Sequence, residues 1–322
     1  MDNQKSIKDI YLIISIDVEE DMPYWKIETE TTIHNLEGIP KIQRLFDNYN
    51  IRPTYLLDYP YVTNENAVEY FKSIIDRCEI GAHMHPWNTP PLTEEESKKI
   101  EYPSNLNYQR QYEKIKTVTD ELTKAFGRPP ASYRAGKFGF NEDTGDILRR
   151  LGYLVDSSVT PMVSWENQNG PSFLDYRVEP FLIDHSACEI LEVPVTISLN
   201  KNLPGILEKV YLSIPKFTKI RGLLSKDYLN IVDLVWLYPV LFTSREMIQL
   251  SDVLIKRDVN VLNMFFHSSE LVSGESIYHK TEKDVERFFD RLKTYFDYIF
   301  SKYSIKAKTL SEYSICFERS EK

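Results

Sequence analysis

Along the chain, short apolar runs take turns with longer stretches whose apolar residues recur every three or four positions. Residues 11–16 (YLIISI) form a β-branched apolar run that reads as a buried strand. Helical spacing follows over 39–49, then a second strand-like run over 52–57 (RPTYLL), a helix over 67–76 and a short third strand over 79–83. Residues 105–126 carry a long amphipathic pattern that Gly127 and the two prolines Pro129 and Pro130 terminate. A strand over 131–135, a helix over 142–151 with Gly152 just beyond it, and a strand over 153–156 come next. The pattern breaks into loop over 157–187 and resumes with a strand over 189–195 (EILEVPV). It is then apolar but irregular over 201–239, which reads as an insertion over the body of the fold. A helix over 244–257, a strand over 261–266, a long helix over 281–302 and a last strand over 305–309 complete the series.

Strands alternating with helices predict βαβ units and a parallel sheet. About seven such units fit an α/β fold of the closed or nearly closed (β/α) barrel type. An open doubly wound sheet is the alternative, but no glycine-rich phosphate loop follows the first strand. No internal repeat, linker or low-complexity stretch divides the chain, so the expectation is one domain over 1–322, with the insertion near 200–240.

The residues capable of chemistry fall where these strands end. The first strand runs into Asp17, Val18, Glu19, Glu20 and Asp21; the third runs into His83, Met84, His85, Pro86 and Trp87. Later strands deliver Arg134, Asp156 and His267. In a (β/α) barrel the C-terminal strand ends make one face, and that face holds the active site. In extended chain, residues two apart point the same way, so His83 and His85 can converge on one ion, and Asp17 and Glu19 share a face. Two imidazoles and one carboxylate meet the ligand count of a catalytic metal site that keeps a position for water. Glu20 and Asp21 then point away or begin the loop. Arg134 is suited to hold a carboxylate, bidentately in the usual case. His267 emerges from an apolar run (NMFF) onto the same rim.

Composition narrows the field further. The 322 residues are 42% hydrophobic and 27% charged, enough for a sizeable core in a soluble chain. A formal net charge of −9 argues against general affinity for nucleic acid or anionic membrane, since both need a basic surface. Aromatic residues make up 13%, with 21 tyrosines; Tyr24, Trp25 and Trp87 lie near the expected rim, where they would either stack on a sugar or simply pack. The three cysteines, Cys78, Cys188 and Cys316, are unclustered, so neither a disulfide framework nor a thiolate zinc site is expected. The N-terminal MDNQKSIKDI lacks an apolar signal core, and no apolar run reaches the roughly 18 residues of a membrane span. The expected location is therefore cytoplasmic.

The order SIDVEED, EIGAHMHPW, YRAGKFGFNEDTGDILRRLGYLVDSSV and NMFFHSSEL resembles the carbohydrate esterase family 4 polysaccharide deacetylases, related to the chitooligosaccharide deacetylases. Within them it looks like the WalW-like subgroup linked to bacterial surface-polysaccharide biosynthesis. The resemblance covers roughly residues 10–312. It implies a distorted (β/α) barrel holding one divalent metal, usually Zn2+, with Co2+, Ni2+ or Mn2+ as other choices, and an N-acetylated sugar or glycan as substrate. It further implies that Asp17 is the catalytic base, Glu19, His83 and His85 the metal ligands, Arg134 the residue that orients the base, and His267 the general acid. The sequence departs from the family in two places: Val18 separates acids that are usually adjacent, and the metal histidines are two residues apart instead of four. The family's Asp-Trp motif is not evident; Glu192 and Trp165 are its nearest candidates. Two other readings are a different amidohydrolase on the same fold, allantoinase-like and acting on a small amide, and a non-catalytic barrel that binds a glycan.

Overall fold

The computed structural model of the chain describes residues 9–24, 31–183, 189–201 and 233–320. Its central element is β1 (Ile10–Val18), buried along nearly its whole length. That is the signature of a parallel strand covered on both faces. Beside it lie β2 (Thr54–Leu57), β3 (Glu79–Met84), β4 (Ser132–Ala135), β5 (Val155–Asp156) and β7 (Ile190–Glu192) on one side and β10 (Val261–His267) on the other. These seven strands, in the order β10-β1-β2-β3-β4-β5-β7, are all parallel. Strand β6 (Phe181–Ile183) adds antiparallel to β7, and β11 (Ile305–Ala307) pairs with the start of β1.

The curled sheet nearly closes on itself. Between β7 and β10 the gap is spanned by the chain around an antiparallel pair, β8 (Ile197–Leu199) and β9 (Leu234–Trp236). There the Thr196 N–H donates to the Asn263 carbonyl at 2.9 Å, Asn263 Nδ2 donates to the Val193 carbonyl at 3.1 Å, and the Phe265 N–H donates to the Leu237 carbonyl at 3.3 Å. The result is the distorted barrel with seven parallel strands that the pattern implies.

The helices fall where the apolar spacing places them: Ile39–Asn48, Glu65–Ser73, Tyr108–Phe126, Glu142–Arg150, Ser244–Lys256 and Glu282–Lys302. Tyr108–Phe126 begins where the Asn107 side chain accepts from the Arg110 N–H and ends at Gly127, whose φ of 74° few other residues tolerate. Among the described residues three α-helices escape the sequence reading: Tyr59–Thr63, one turn capped by Asp58, the short Glu96–Lys99, and Leu310–Ser320 at the end. The stretch 157–187 also holds β6, and 201–239 holds β9; residues 202–232 of the expected insertion, like Cys188 and Trp25, lie outside the described residues.

Strand parity sorts the interior. Leu12, Ile14, Ile16 and Val18 of β1 face the surrounding helices in the large core, while Ile13 faces inward. At the bottom of the barrel Ile13, Leu56, Val155, Leu191 and Val261 pack on Leu310 and Tyr313 of the last helix. A Cβ on Gly81 would come within 2.3 Å of Ser132 Oγ and 2.7 Å of Leu56 Cδ2, so only glycine lets β3 approach β2 and β4 this closely. Above that apolar plug the inward positions turn polar: Ser15, Arg134, Ser157 and Asn263 make one layer, and Asp17, His83 and His267 rise above it. Among the described residues no helix is long and apolar enough to cross a membrane.

Candidate metal centre and active site

The polar layer is a closed hydrogen-bonded network around a fully buried guanidinium. Arg134 donates through Nε to the Ser157 carbonyl (2.7 Å), through Nη2 to Ser15 Oγ (2.7 Å) and Ser157 Oγ (2.8 Å), and through Nη1 to Asp17 Oδ1 (2.7 Å). Ser15 in turn donates to Asn263 Oδ1 at 2.9 Å, and Asn263 Nδ2 donates to Ser157 Oγ at 2.9 Å. Arg134 thus meets Asp17 through one N–H and not through the two-pronged contact expected; its other donors are spent on holding it still. Register explains the meeting: Asp17 stands opposite His267 on β10, and His83 stands opposite Arg134 on β4.

Directly above, Glu19, His83 and His85 converge. Glu19 Oε2 lies 2.7 Å from His85 Nε2 and 3.3 Å from His83 Nε2, and the two Nε2 atoms are 3.0 Å apart. His83 Nδ1 is 2.9 Å from the Arg134 carbonyl, which can only accept, so the ring is protonated at Nδ1 and its Nε2 carries the lone pair when neutral. Burial and the neighbouring His83 push the pKa of His85 down, favouring a neutral ring. Burial works against the Glu19 carboxylate, yet the charge of His267 and the hydrogen bonds of His83 and His85 hold its pKa well below the usual range. One carboxylate oxygen and two imidazole Nε2 atoms therefore face a single point. Ligands at about 2.1 Å from a tetrahedral ion stand roughly 3.4 Å apart, slightly wider than the spacings here, so the trio fits a divalent cation with a small outward adjustment.

The surroundings fix this trio. The Trp87 ring lies 4.0 Å from that of His85, and Trp87 Nε1 donates to Glu20 at 2.6 Å. Lys114, wholly buried, donates to the carbonyls of Pro86 (2.9 Å), Thr89 (2.6 Å) and Pro91 (2.7 Å), tying down the loop that carries His85. Gly136 lies so close that a Cβ there would come within 2.4 Å of His85 Nδ1.

His267 completes the set. Its Nε2 is 3.8 Å from Asp17 Oδ2, and its Nδ1 is 3.2 Å from Glu270 Oε1. Glu270 also accepts from the His267 backbone N–H at 2.8 Å and from the Tyr238 hydroxyl. Burial lowers the pKa of His267, but the charges of Glu270 and Glu19 outweigh it and raise it to about 10.

All six residues expected at the site thus meet, and several others expected near it do not. Asp156 lies one residue out of phase with inward-facing Val155 and is in register with Tyr133 and Glu192, so its side chain leaves the barrel interior. There it pairs with Glu192, whose pKa burial and the Asp156 charge raise well above normal, so the pair keeps a proton. Glu192, the candidate for the Asp-Trp motif, thus lies outside the barrel interior, and the carboxylate beside His267 is Glu270. Glu20 and Asp21 do turn away from the trio, but into the protein: Glu20 and Asp58 both accept from Asn88, and Asp21 accepts the His34 and Asn35 backbone N–H groups. Asp21, His34 and Glu275 form a second, more exposed group of metal-capable side chains, in which both Asp21 oxygens are already engaged by those N–H groups.

The trio, Asp17 and His267 open into a cavity of about 620 Å3. Its walls are aromatic, but they are not the aromatics expected. Trp87 is buried against His85, and Tyr24 stands outside the cavity; Trp165, Trp236, Tyr102, Phe138, Tyr238 and Tyr278 form the walls. Lys137 and Phe138 reach it from a turn with left-handed φ values of 51° and 58°, which residues other than glycine adopt at a cost.

No family model and no curated protein matches the chain. Solved structures do. A candidate polysaccharide deacetylase from Mycobacterium smegmatis superposes with a TM-score of 0.61 at 15% identity, covering 99% of this chain and 94% of that one. A candidate polysaccharide deacetylase from Pseudomonas aeruginosa PAO1 gives 0.53 at 13% identity over 96% and 91%. PuuE allantoinase gives 0.55 at 12% identity over 97% and 91%. The chain therefore has the polysaccharide-deacetylase fold.

Proposed function

We propose that this protein is a metal-dependent deacetylase that hydrolyses the N-acetyl group of a sugar or glycan precursor, acting through one catalytic domain. The observation that carries the reading is the convergence of Glu19, His83 and His85, with Asp17 and His267 facing each other 3.8 Å apart beside them. A Zn2+ or similar divalent ion held by the trio would act as a Lewis acid on the acyl carbonyl and make water more acidic.

The chain's own groups divide the remaining work. Asp17, oriented by Arg134 through Oδ1, presents Oδ2 to the cavity and takes the proton of the attacking water. His267, held as a cation by Glu270, gives its proton to the nitrogen as the C–N bond breaks, so the sugar leaves as a neutral amine. Tyr238, donating to Glu270, keeps that carboxylate turned toward His267. Protonation matters because an amide anion is a very poor leaving group. The sequence resemblance to surface-polysaccharide enzymes supports a step on an N-acetylated precursor.

The test is metal content of the purified chain together with acetate release from N-acetylated sugars. The expected result is about one divalent ion per chain and acetate release that chelation abolishes and Zn2+ or Co2+ restores. Unchanged turnover after verified removal of metal would favour a metal-free amidohydrolase. Glycan binding with no turnover in the metal-loaded protein would favour a non-catalytic barrel.

A further inference from the structure

Beyond the reacting groups, the cavity wall is a continuous run of rings. Phe138 stacks on Trp165 (6.2 Å, 11°), Trp165 meets Trp236 edge-on (6.2 Å), Trp236 meets Phe265 (6.0 Å), Phe265 stacks on Tyr238 (4.7 Å, 10°) and Tyr238 meets Tyr278 (6.4 Å). The run has a direction. Phe265 and Tyr238 each lie 6.2 Å from the His267 ring, so the wall adjoins the group that protonates the departing amine. That is the side on which the sugar, and whatever the sugar carries, must lie. On the same cavity stand Leu241 and Ile277, 53% and 36% exposed, so the apolar lining continues from the reacting groups out to solvent.

Burying rings and aliphatic groups along an open wall leaves apolar surface in water unless a ligand covers it. A sugar ring alone offers one weakly apolar face, and the cavity of about 620 Å3 exceeds what an acetyl group and one ring fill. From this wall, and resting on the deacetylase reading above for its orientation, we propose that the substrate is an acylated sugar bearing an apolar aglycone. The aglycone lies along Trp236 and Tyr278 and leaves the cavity between Leu241 and Ile277. An extended glycan would instead call for hydrogen-bonding groups along that path; the polar side chains Gln168 and Lys137 lie with Tyr102, which donates to Gln168.

The test uses alkyl N-acetyl-β-D-glucosaminides with methyl, butyl, hexyl and octyl aglycones, assayed for acetate release by the metal-loaded full chain. Quenching of tryptophan fluorescence in metal-free protein reads binding separately. Each methylene that is fully buried tightens binding about fourfold, so KM and the dissociation constant should fall at least tenfold from methyl to hexyl. Leu241→Asp and Ile277→Asp should flatten that dependence, while Ile315→Asp, on the exposed face of the last helix, should keep the wild-type slope. Acetate release that ignores aglycone length, or that rises with added sugar units and not with added methylenes, overturns the proposal and leaves the deacetylase reading standing. A gain that follows acyl length and not aglycone length places the apolar group on the wrong side and also overturns it. Chain-length-dependent quenching with no acetate released from any member upholds the apolar subsite and removes the deacetylase reading.

Discussion

Glu270→Gln is the sharpest probe of the proposed acid. The substitution keeps the side chain's shape and one carbonyl acceptor for His267 Nδ1, but removes the charge that stands 3.2 Å from it. At that distance, with an effective dielectric of about 20, the pair is worth roughly 5 kcal/mol. At about 1.4 kcal/mol per pKa unit this bounds the effect near four units, and retention of the hydrogen bond leaves about two to three. His267, held at about 10 in the wild type, should then titrate near or below pH 8. Histidine Cε1 NMR titration of metal-free protein reads this directly. The pH dependence of kcat reads it functionally, with a basic limb entering between about pH 7 and 9 in the variant only. Stability should follow. The folded chain keeps a proton on His267 that the unfolded chain, with an ordinary value of 6.5, has lost, so the contribution is complete below pH 6.5 and gone above about 10. Wild-type stability should fall with rising pH across that window, and the variant's slope should be shallower. A wild-type His267 that titrates near 6.5, or identical basic limbs in the two proteins, would refute the reasoning.

Three further outcomes follow from the geometry. His83→Ala and His85→Ala should each lose most bound metal by elemental analysis while keeping a cooperative melt; full occupancy in either variant removes that residue from the ligand set. Asp17→Asn should keep metal and lose about a hundredfold to ten-thousandfold in kcat, whereas Glu19→Gln should weaken metal binding; the reverse pattern exchanges their roles. Gly136→Ala places a Cβ 2.4 Å from His85 Nδ1 and 2.7 Å from the Met84 carbonyl, so metal affinity should drop at least tenfold and the melting temperature should fall with it. Unchanged affinity would mean that the turn yields instead of the ring.

Much of this arrangement was legible because a parallel barrel obeys two periodicities at once. The near-continuous apolar run of β1 betrayed a strand covered on both faces, and the alternation continuing past it put Asp17 and Glu19 on the side of Ser15. The same count of two put His83 with His85. It misled at Asp156, where the strand is only Val155–Asp156 and the inward phase belongs to Val155. With so short a run, the sequence offers no pattern from which phase can be read, and only pairing with β4 and β7 decides it. The terminal helix was missed for a related reason: one face of it plugs the barrel bottom through Leu310 and Tyr313, while Ile315 stays exposed, so its apolar spacing is blurred.

The partners of the site were harder to read, because they come from segments whose local sequence does not announce them. Glu270 follows His267 by three residues and was in plain view, yet its meaning depends on a single 3-10 turn, Ser268–Leu271, that folds its carboxylate back onto both the backbone N–H and the ring of His267. Spacing alone cannot separate that return from a carboxylate pointing into solvent. Tyr238, which donates to the same carboxylate, enters from the irregular stretch after β9, where no periodicity marks it. The consequence is a division of labour by position. Residues proposed to act on the substrate project from strand ends and obey strand parity. Those that set their charge and orientation come from turns and from the closing segment between β7 and β10. Substitutions in that closing segment should therefore alter the proton inventory of His267 before they disturb the metal trio, since Tyr238 touches Glu270 and the trio is held from β3, β4 and the Lys114 clamp.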